Sequence, residues 1–176
     1  MMPKSGTGRL PLFFVLIAIL SGCTGSTDDT IELRHYTLDD TNGVLTRTGV
    51  EADTAITSDG SGSLRVTADE PATIRLFETG DLDVEDAVLI YEAKLRTEDV
   101  SGKVYLEMWC HFPGRGEFFS RAAGSALSGT VDWVSQETPF FLKKGENPDN
   151  VRLNMVIDGR GTAWIDDIRV VRSPLR

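Results

Sequence analysis

Two short segments of this chain place chemically capable side chains at every second position. In Lys103–Phe112 the residues Glu107, Trp109 and His111 fall on one side of an extended strand, while Val104, Leu106, Met108, Cys110 and Phe112 fall on the other. Val151–Ile157 repeats the pattern, with Arg152 and Asn154 set against Val151, Leu153, Met155 and Ile157. A carboxylate, an indole, an imidazole, a guanidinium and an amide on one face are what a polyhydroxylated ligand needs: C–H faces stack on a ring, and hydroxyls pair with the polar groups. The plainer alternative is that Trp109 packs beneath a loop while Glu107 and Arg152 form a surface ion pair worth little. Glu107 and His111, joined by Glu92 as a second carboxylate, would also suit glycoside hydrolysis, which uses two carboxylates about 5 to 10 Å apart. Against catalysis stand the lack of a Gly-x-Ser-x-Gly elbow or a His-Glu-x-x-His helix, and only two histidines in the chain. A non-catalytic binding surface is the expectation, with a glycan hydrolase as the weaker alternative.

The elements that would carry these groups are strands. Alternating segments are expected over Ile31–Leu38, Leu64–Thr67, Thr73–Glu78, Ala87–Arg96, Lys103–Phe112, Thr130–Ser135, Pro139–Leu142, Val151–Ile157 and Thr162–Val171. Turn signals separate them, among them Pro113-Gly114-Arg115-Gly116 and Asp158-Gly159-Arg160-Gly161. Gly114 and Gly116 precede no helix, which leaves a turn rather than a dinucleotide loop. No long helical periodicity appears, so the fold class is all-β, a single β-sandwich or jelly roll. Cys110 sits in an apolar run as a core residue, and His111 points away from it, so the two do not form a nucleophile and base. Pro139-Phe140-Phe141-Leu142 is either a core strand with Pro at its start or a sticky edge for a protein partner.

The first residues form a separate unit. Lys4 and Arg9 precede an apolar run, Leu10 to Leu20, shorter than the roughly 20 residues a membrane span needs, and the run ends in Leu20-Ser21-Gly22-Cys23. This resembles a bacterial lipoprotein signal. The resemblance implies cleavage after residue 22, acylation of Cys23 and a lipid bilayer as partner, with more than one acyl chain making the anchorage stable. Thr24 stands where an inner-membrane retention signal would place Asp, which by the same resemblance points to the outer membrane of a Gram-negative cell. Residues 1–22 are thus read as signal peptide, 23–29 as acylated cysteine and flexible tether, and 30–176 as one domain. The chain has 18 Lys+Arg against 27 Asp+Glu, a net charge of −9, and loss of the leader's two bases deepens the excess. Nucleic acid is excluded as a partner on that balance.

Gly159-Arg160-Gly161-Thr162-Ala163-Trp164-Ile165-Asp166-Asp167-Ile168-Arg169-Val170 resembles the final strand of the galactose-binding-like jelly rolls, a fold used by many carbohydrate-binding modules. Gly62-Ser63-Leu64-Arg65-Val66 and Gly129-Thr130-Val131-Asp132-Trp133 resemble two earlier segments of the same group. The resemblance implies a jelly roll over about residues 30 to 172, structural roles for Trp133 and Trp164, and carbohydrate binding as the leading function. Contact with another envelope protein is the alternative. It also implies a structural calcium held by Asp166 with help from Asp39 or Asp40, although Ile31-Glu32-Leu33-Arg34-His35-Tyr36 lacks the group's usual opening motif. Such a cation needs about six to eight oxygens. The other reading is that Asp166 and Asp167 cap backbone groups at a strand irregularity.

Overall fold

The computed structural model describes residues 30–175, so the signal segment, Cys23 and the tether lie outside the described residues. The chain forms β1 (Ile31–Tyr36), β2 (Val50–Asp53), β3 (Ser63–Ala68), β4 (Ala72–Thr79), β5 (Ala87–Phe112), β6 (Gly116–Arg121), β7 (Leu127–Leu142) and β8 (Asn150–Pro174). One short 3-10 turn, Ala123–Ser125, links β6 to β7. All eight strands belong to one hydrogen-bonded sheet. That sheet is folded on itself into a jelly-roll β-sandwich.

The fold-over is the work of β5 and β8, which are 26 and 25 residues long. They run antiparallel along their whole length, from Ala87 opposite Pro174 to His111 opposite Asn150. Midway the ladder is broken by a register shift between Glu98 and Ser101, where Gly102 faces Gly159. Both glycines have positive φ, 117° and 154°. A Cβ on Gly102 would lie 2.0 Å from the Asp158 carbonyl oxygen, and one on Gly159 would lie 1.8 Å from that of Ser101. Only residues without side chains let the two backbones cross this closely.

The break also reverses which side of β5 faces inward. Before it the buried positions are odd-numbered, Leu89, Tyr91, Ala93 and Leu95; after it they are even-numbered, Leu106, Met108, Cys110 and Phe112. Extra residues at a bulge shift the alternation by one, so both halves turn their apolar side into a single core. The Phe112 ring lies 6.0 Å from that of Phe140, which is paired with Leu89, so the two ends of β5 meet at one end of the sandwich.

One layer therefore contains β1 and β3 beside the second half of β8, then the first half of β5, then β7. The other contains β4, the first half of β8, the second half of β5, and β6. Three pairs of expected strands thus prove continuous: Ala87–Arg96 with Lys103–Phe112, Thr130–Ser135 with Pro139–Leu142, and Val151–Ile157 with Thr162–Val171. Asp158-Gly159-Arg160-Gly161 is the bend inside β8 rather than a turn. Pro113-Gly114-Arg115-Gly116 does form a turn, closed by the Arg115 N–H donating to the Phe112 carbonyl at 3.0 Å, and it leads into the unanticipated β6.

Candidate functional site

The outer face of the second layer gathers the five residues singled out above. Asn154 is directly opposite Glu107, Arg152 opposite Trp109, and Asn150 opposite His111. β6 extends these rows with Arg121 beside Glu107, Phe119 beside Trp109 and Glu117 beside His111. β4 adds Arg75 beside Asn154 and Glu78 beside Arg152. Two rows consequently cross the strands side by side. One runs Arg75, Asn154, Glu107, Arg121; the other runs Glu78, Arg152, Trp109, Phe119.

The first row is a polar floor. Although they face away from the core, Glu107 and Asn154 are only 7 % and 4 % exposed. Glu107 accepts from Trp109 Nε1 at 2.7 Å and from Asn154 Nδ2 at 3.3 Å, and pairs with Arg121 at 3.2 Å. The other atom of the same amide, Asn154 Oδ1, is buried without a partner. A buried carbonyl oxygen left unmatched costs about 1 to 3 kcal/mol relative to one that is satisfied.

The second row is aromatic and cationic. Trp109 and Phe119 meet at 5.0 Å between ring centroids, with their planes tilted by 44°. The Arg152 guanidinium stands 5.5 Å from the Trp109 ring, and that of Arg121 stands 4.3 Å from Phe119, distances at which a cation is attracted to a ring face. Arg152 is also bound to Glu117 at 2.9 Å, Arg75 to Glu78, and His111 Nδ1 to Asp149 at 2.5 Å. Each arginine on the face is thus matched by a carboxylate. Phe119 and Arg121 escaped the sequence reading because β6 shows no alternation of apolar and polar residues, being exposed almost throughout, and Arg75 because nothing in the sequence placed β4 beside β8.

Other candidates lie elsewhere. Glu92 sits on the outer face of the first layer, opposite Arg169 and Glu137, on the far side of the sandwich from Glu107. Both carboxylates point outward, but the bend in β5 sends them to opposite sides, so the proposed carboxylate pair does not form. Cys110 is fully buried, and that burial pushes its thiol up to about 12, far from a nucleophile's range. Trp164 is buried and donates to Asp53 at 2.9 Å, while Trp133 is half-buried on β7.

Asp166 is fully buried. Its Oδ2 accepts the Ser58 N–H at 2.9 Å and its Oδ1 the Asp167 N–H at 2.7 Å, which pins the loop after β2 to a second register shift of the β5–β8 ladder, where Glu92 faces Arg169 but Lys94 faces Asp166. Asp39 is bound to Thr37 Oγ1, and Asp40 to the Asn42 N–H. Among the described residues no three His, Cys, Asp or Glu side chains gather as a metal group would require. The donor set around Asp166 consists of N–H groups, which suit an anchor for backbone and do not fit an oxygen cage for calcium.

No protein-family model and no curated protein matches the sequence. Solved structures do. The CBM22-1 xylan-binding domain of Paenibacillus barcinonensis Xyn10C superposes over 86 % of this chain and 100 % of its own length, with a TM-score of 0.63 and 12 % identity. The fold is the one carbohydrate-binding modules use. A second similar structure is the CBM22-1–GH10 portion of Clostridium thermocellum endo-1,4-β-D-xylanase 10B, with a TM-score of 0.61 and 13 % identity, covering 80 % of this chain and 28 % of that one. The same sandwich appears in a Stig cyclase of Fischerella sp., at a TM-score of 0.52 and 11 % identity over 81 % of this chain and 86 % of the cyclase. At such identities the likeness speaks for architecture, and function has to be argued from the side chains.

Proposed function

We propose that this protein binds a neutral polysaccharide, without catalysis, on the outer face formed by β4, β8, β5 and β6. The observation that carries the reading is the ring row of Trp109 and Phe119 flanked by the guanidinium groups of Arg152 and Arg121, on a floor of nearly buried polar side chains. A sugar fits this surface, its apolar C–H face lying against the rings while Arg121 and Arg152 donate to its oxygens. Support for a sugar over other hydroxylated ligands comes from the similar structures, one described as a xylan-binding domain and another holding xylohexaose. Because every arginine on the face already has a carboxylate, nothing here favours a uronate over a neutral chain. The strongly acidic protein as a whole disfavours polyanions.

The same reading holds the domain at a membrane through acylated Cys23, at the outer membrane of a Gram-negative cell, with residues 23–29 as the tether. The test is retention of the detergent-solubilised protein on neutral and uronic-acid polysaccharides, with Phe119→Ala alongside. Phe119 is 48 % exposed, so its truncation should spare the fold. Retention on a neutral glycan that is lost in the variant supports the reading. Undiminished retention in the variant would move the site elsewhere, and no retention by the folded protein would favour a protein partner instead.

A further inference from the structure

We infer that the end of the sandwich where the chain enters and leaves is a membrane-contact surface that seats itself in a neutral bilayer through Phe141 and Phe118. This rests on the lipid anchor proposed above. Ile31 pairs with Arg172, Ala87 with Pro174 and with Leu142, so the N-terminal strand, the C-terminus and the tip of β7 share one end. Only residues 23–29 separate the acylated cysteine from the domain, and at about 3.5 Å per residue they keep this end within about 25 Å of the bilayer.

The exposed apolar side chains are concentrated there. Phe141 is 66 % exposed, Ile31 46 %, Phe118 45 % and Leu175 41 %. Phe112, Phe118, Phe140 and Phe141 line an open cleft of about 190 Å³, rimmed by Lys143 and by Arg115, which is paired with Glu146 at 3.0 Å. The opposite end, where the glycines of β5 and β8 cross, presents no exposed large apolar side chain among the described residues. Aromatic rings next to long cationic side chains suit the headgroup boundary of a bilayer.

The charge at this end narrows the lipid. The loop between β4 and β5 brings Asp81, Asp83, Glu85 and Asp86 to the same end, where the Asp86 N–H donates to the Lys143 carbonyl and Glu85 accepts from the Gly145 N–H. An acidic rim is repelled by anionic headgroups, so the contact is apolar and favours zwitterionic lipid. A tether of seven residues could otherwise let the domain tumble freely; with this end seated, the sugar-binding face is held upright beside the membrane.

The experiment uses the full-length acylated protein in phosphatidylcholine/phosphatidylethanolamine vesicles, with an environment-sensitive fluorophore on Lys144→Cys or, at the far end, on Glu70→Cys. Cys110 is buried and will not label. Intact mass reports acylation independently. The expected result is blue-shifted emission from the Lys144→Cys probe that is quenched by brominated acyl chains, no quenching at Glu70→Cys, and loss of quenching at Lys144→Cys when Phe141→Ser is added. Adding phosphatidylglycerol should weaken the signal. Water-like emission at both positions in protein that is acylated and floats with the vesicles would overturn the contact while sparing the anchor. A mass without acyl groups would overturn both. Strong quenching that survives Phe141→Ser, or grows with anionic lipid, would also overturn the inference.

Discussion

The same two strands, β5 and β8, pave both outer faces of the sandwich, yet the faces differ in what they do with their polar groups. On the first layer the outward residues of β5 include Glu92, Lys94 and Arg96, and the ion pairs are open to water: Arg96 with Asp132, Arg169 with Asp167 and Glu32, and His35 with Asp167. Its one central indole, Trp164, is 2 % exposed beneath Arg96, so no ring is offered in the middle of the face. On the second layer a comparable set of charges surrounds Glu107 and Asn154, which are nearly buried, and the rings of Trp109 and Phe119 stand beside them. Ion pairs alone do not make a site, since exposed ones contribute at most about 1 kcal/mol and are readily exchanged for water. A polar floor withdrawn from water with an aromatic row beside it is what distinguishes the second face.

The largest effect should come from undoing the bend that keeps the two faces apart. Gly102→Ala forces a Cβ into the Asp158 carbonyl at a backbone angle disfavoured for any other residue, and a loss of about 3 kcal/mol or more is expected. Thermal unfolding would register it as a large drop in Tm, whereas Gly114→Ala, in a turn with open space around it, should cost far less. A Gly102→Ala protein as stable as the parent would mean that the crossing is looser than the structure has it. Next in size is Trp109→Ala. It removes the ring that Glu107, Arg152 and Phe119 all touch, so glycan retention should vanish while stability falls by about 1 to 2 kcal/mol, the ring being only half-buried. Loss of stability with unchanged retention would return Trp109 to a packing role.

The inward halves of these strands were legible because alternation is a strong signal: Leu106, Met108 and Cys110, and Val151, Leu153 and Met155, are all at 0 % exposure as their spacing implies. Placing Glu107, Trp109, His111, Arg152 and Asn154 on one outward face followed from the same parity, once β5 and β8 were neighbours. Continuity through Asp158-Gly159-Arg160-Gly161 was not legible, because the glycines that permit two strands to cross are the residues that ordinarily signal a turn. Glu92 was misplaced beside Glu107 for that reason: without the bend, nothing in the spacing shows that the two halves of β5 face opposite ways. β6 was invisible because Gly116–Arg121 is an exposed edge strand whose residues need no apolar periodicity.

Two smaller effects sharpen the contrast between the layers. Asp166→Ala strips acceptors from the Ser58 and Asp167 N–H groups and should lower stability by about 1 to 3 kcal/mol. We expect calcium and chelator to leave the parent's Tm alike; a calcium-dependent rise that disappears in Asp166→Ala would instead make this carboxylate a metal ligand.

Glu92→Gln should have the smallest effect and the opposite sign. Burial holds the Glu92 carboxyl above its ordinary range, Arg169 opposes this, and the nearby Glu137, Asp167 and Glu32 add to it. An acid whose folded pKa exceeds its unfolded one takes up its proton more readily when folded. It therefore destabilises the protein progressively as pH rises from the unfolded value through the folded one. The amide has no charge to bury, so the variant should match the parent below about pH 4 and melt slightly higher at neutral pH. Melting curves at the two pH values check this directly. An equal or lower Tm at neutral pH would mean that Arg169 more than compensates for burial, and that the first layer's charges form a stabilising network rather than a merely tolerated one.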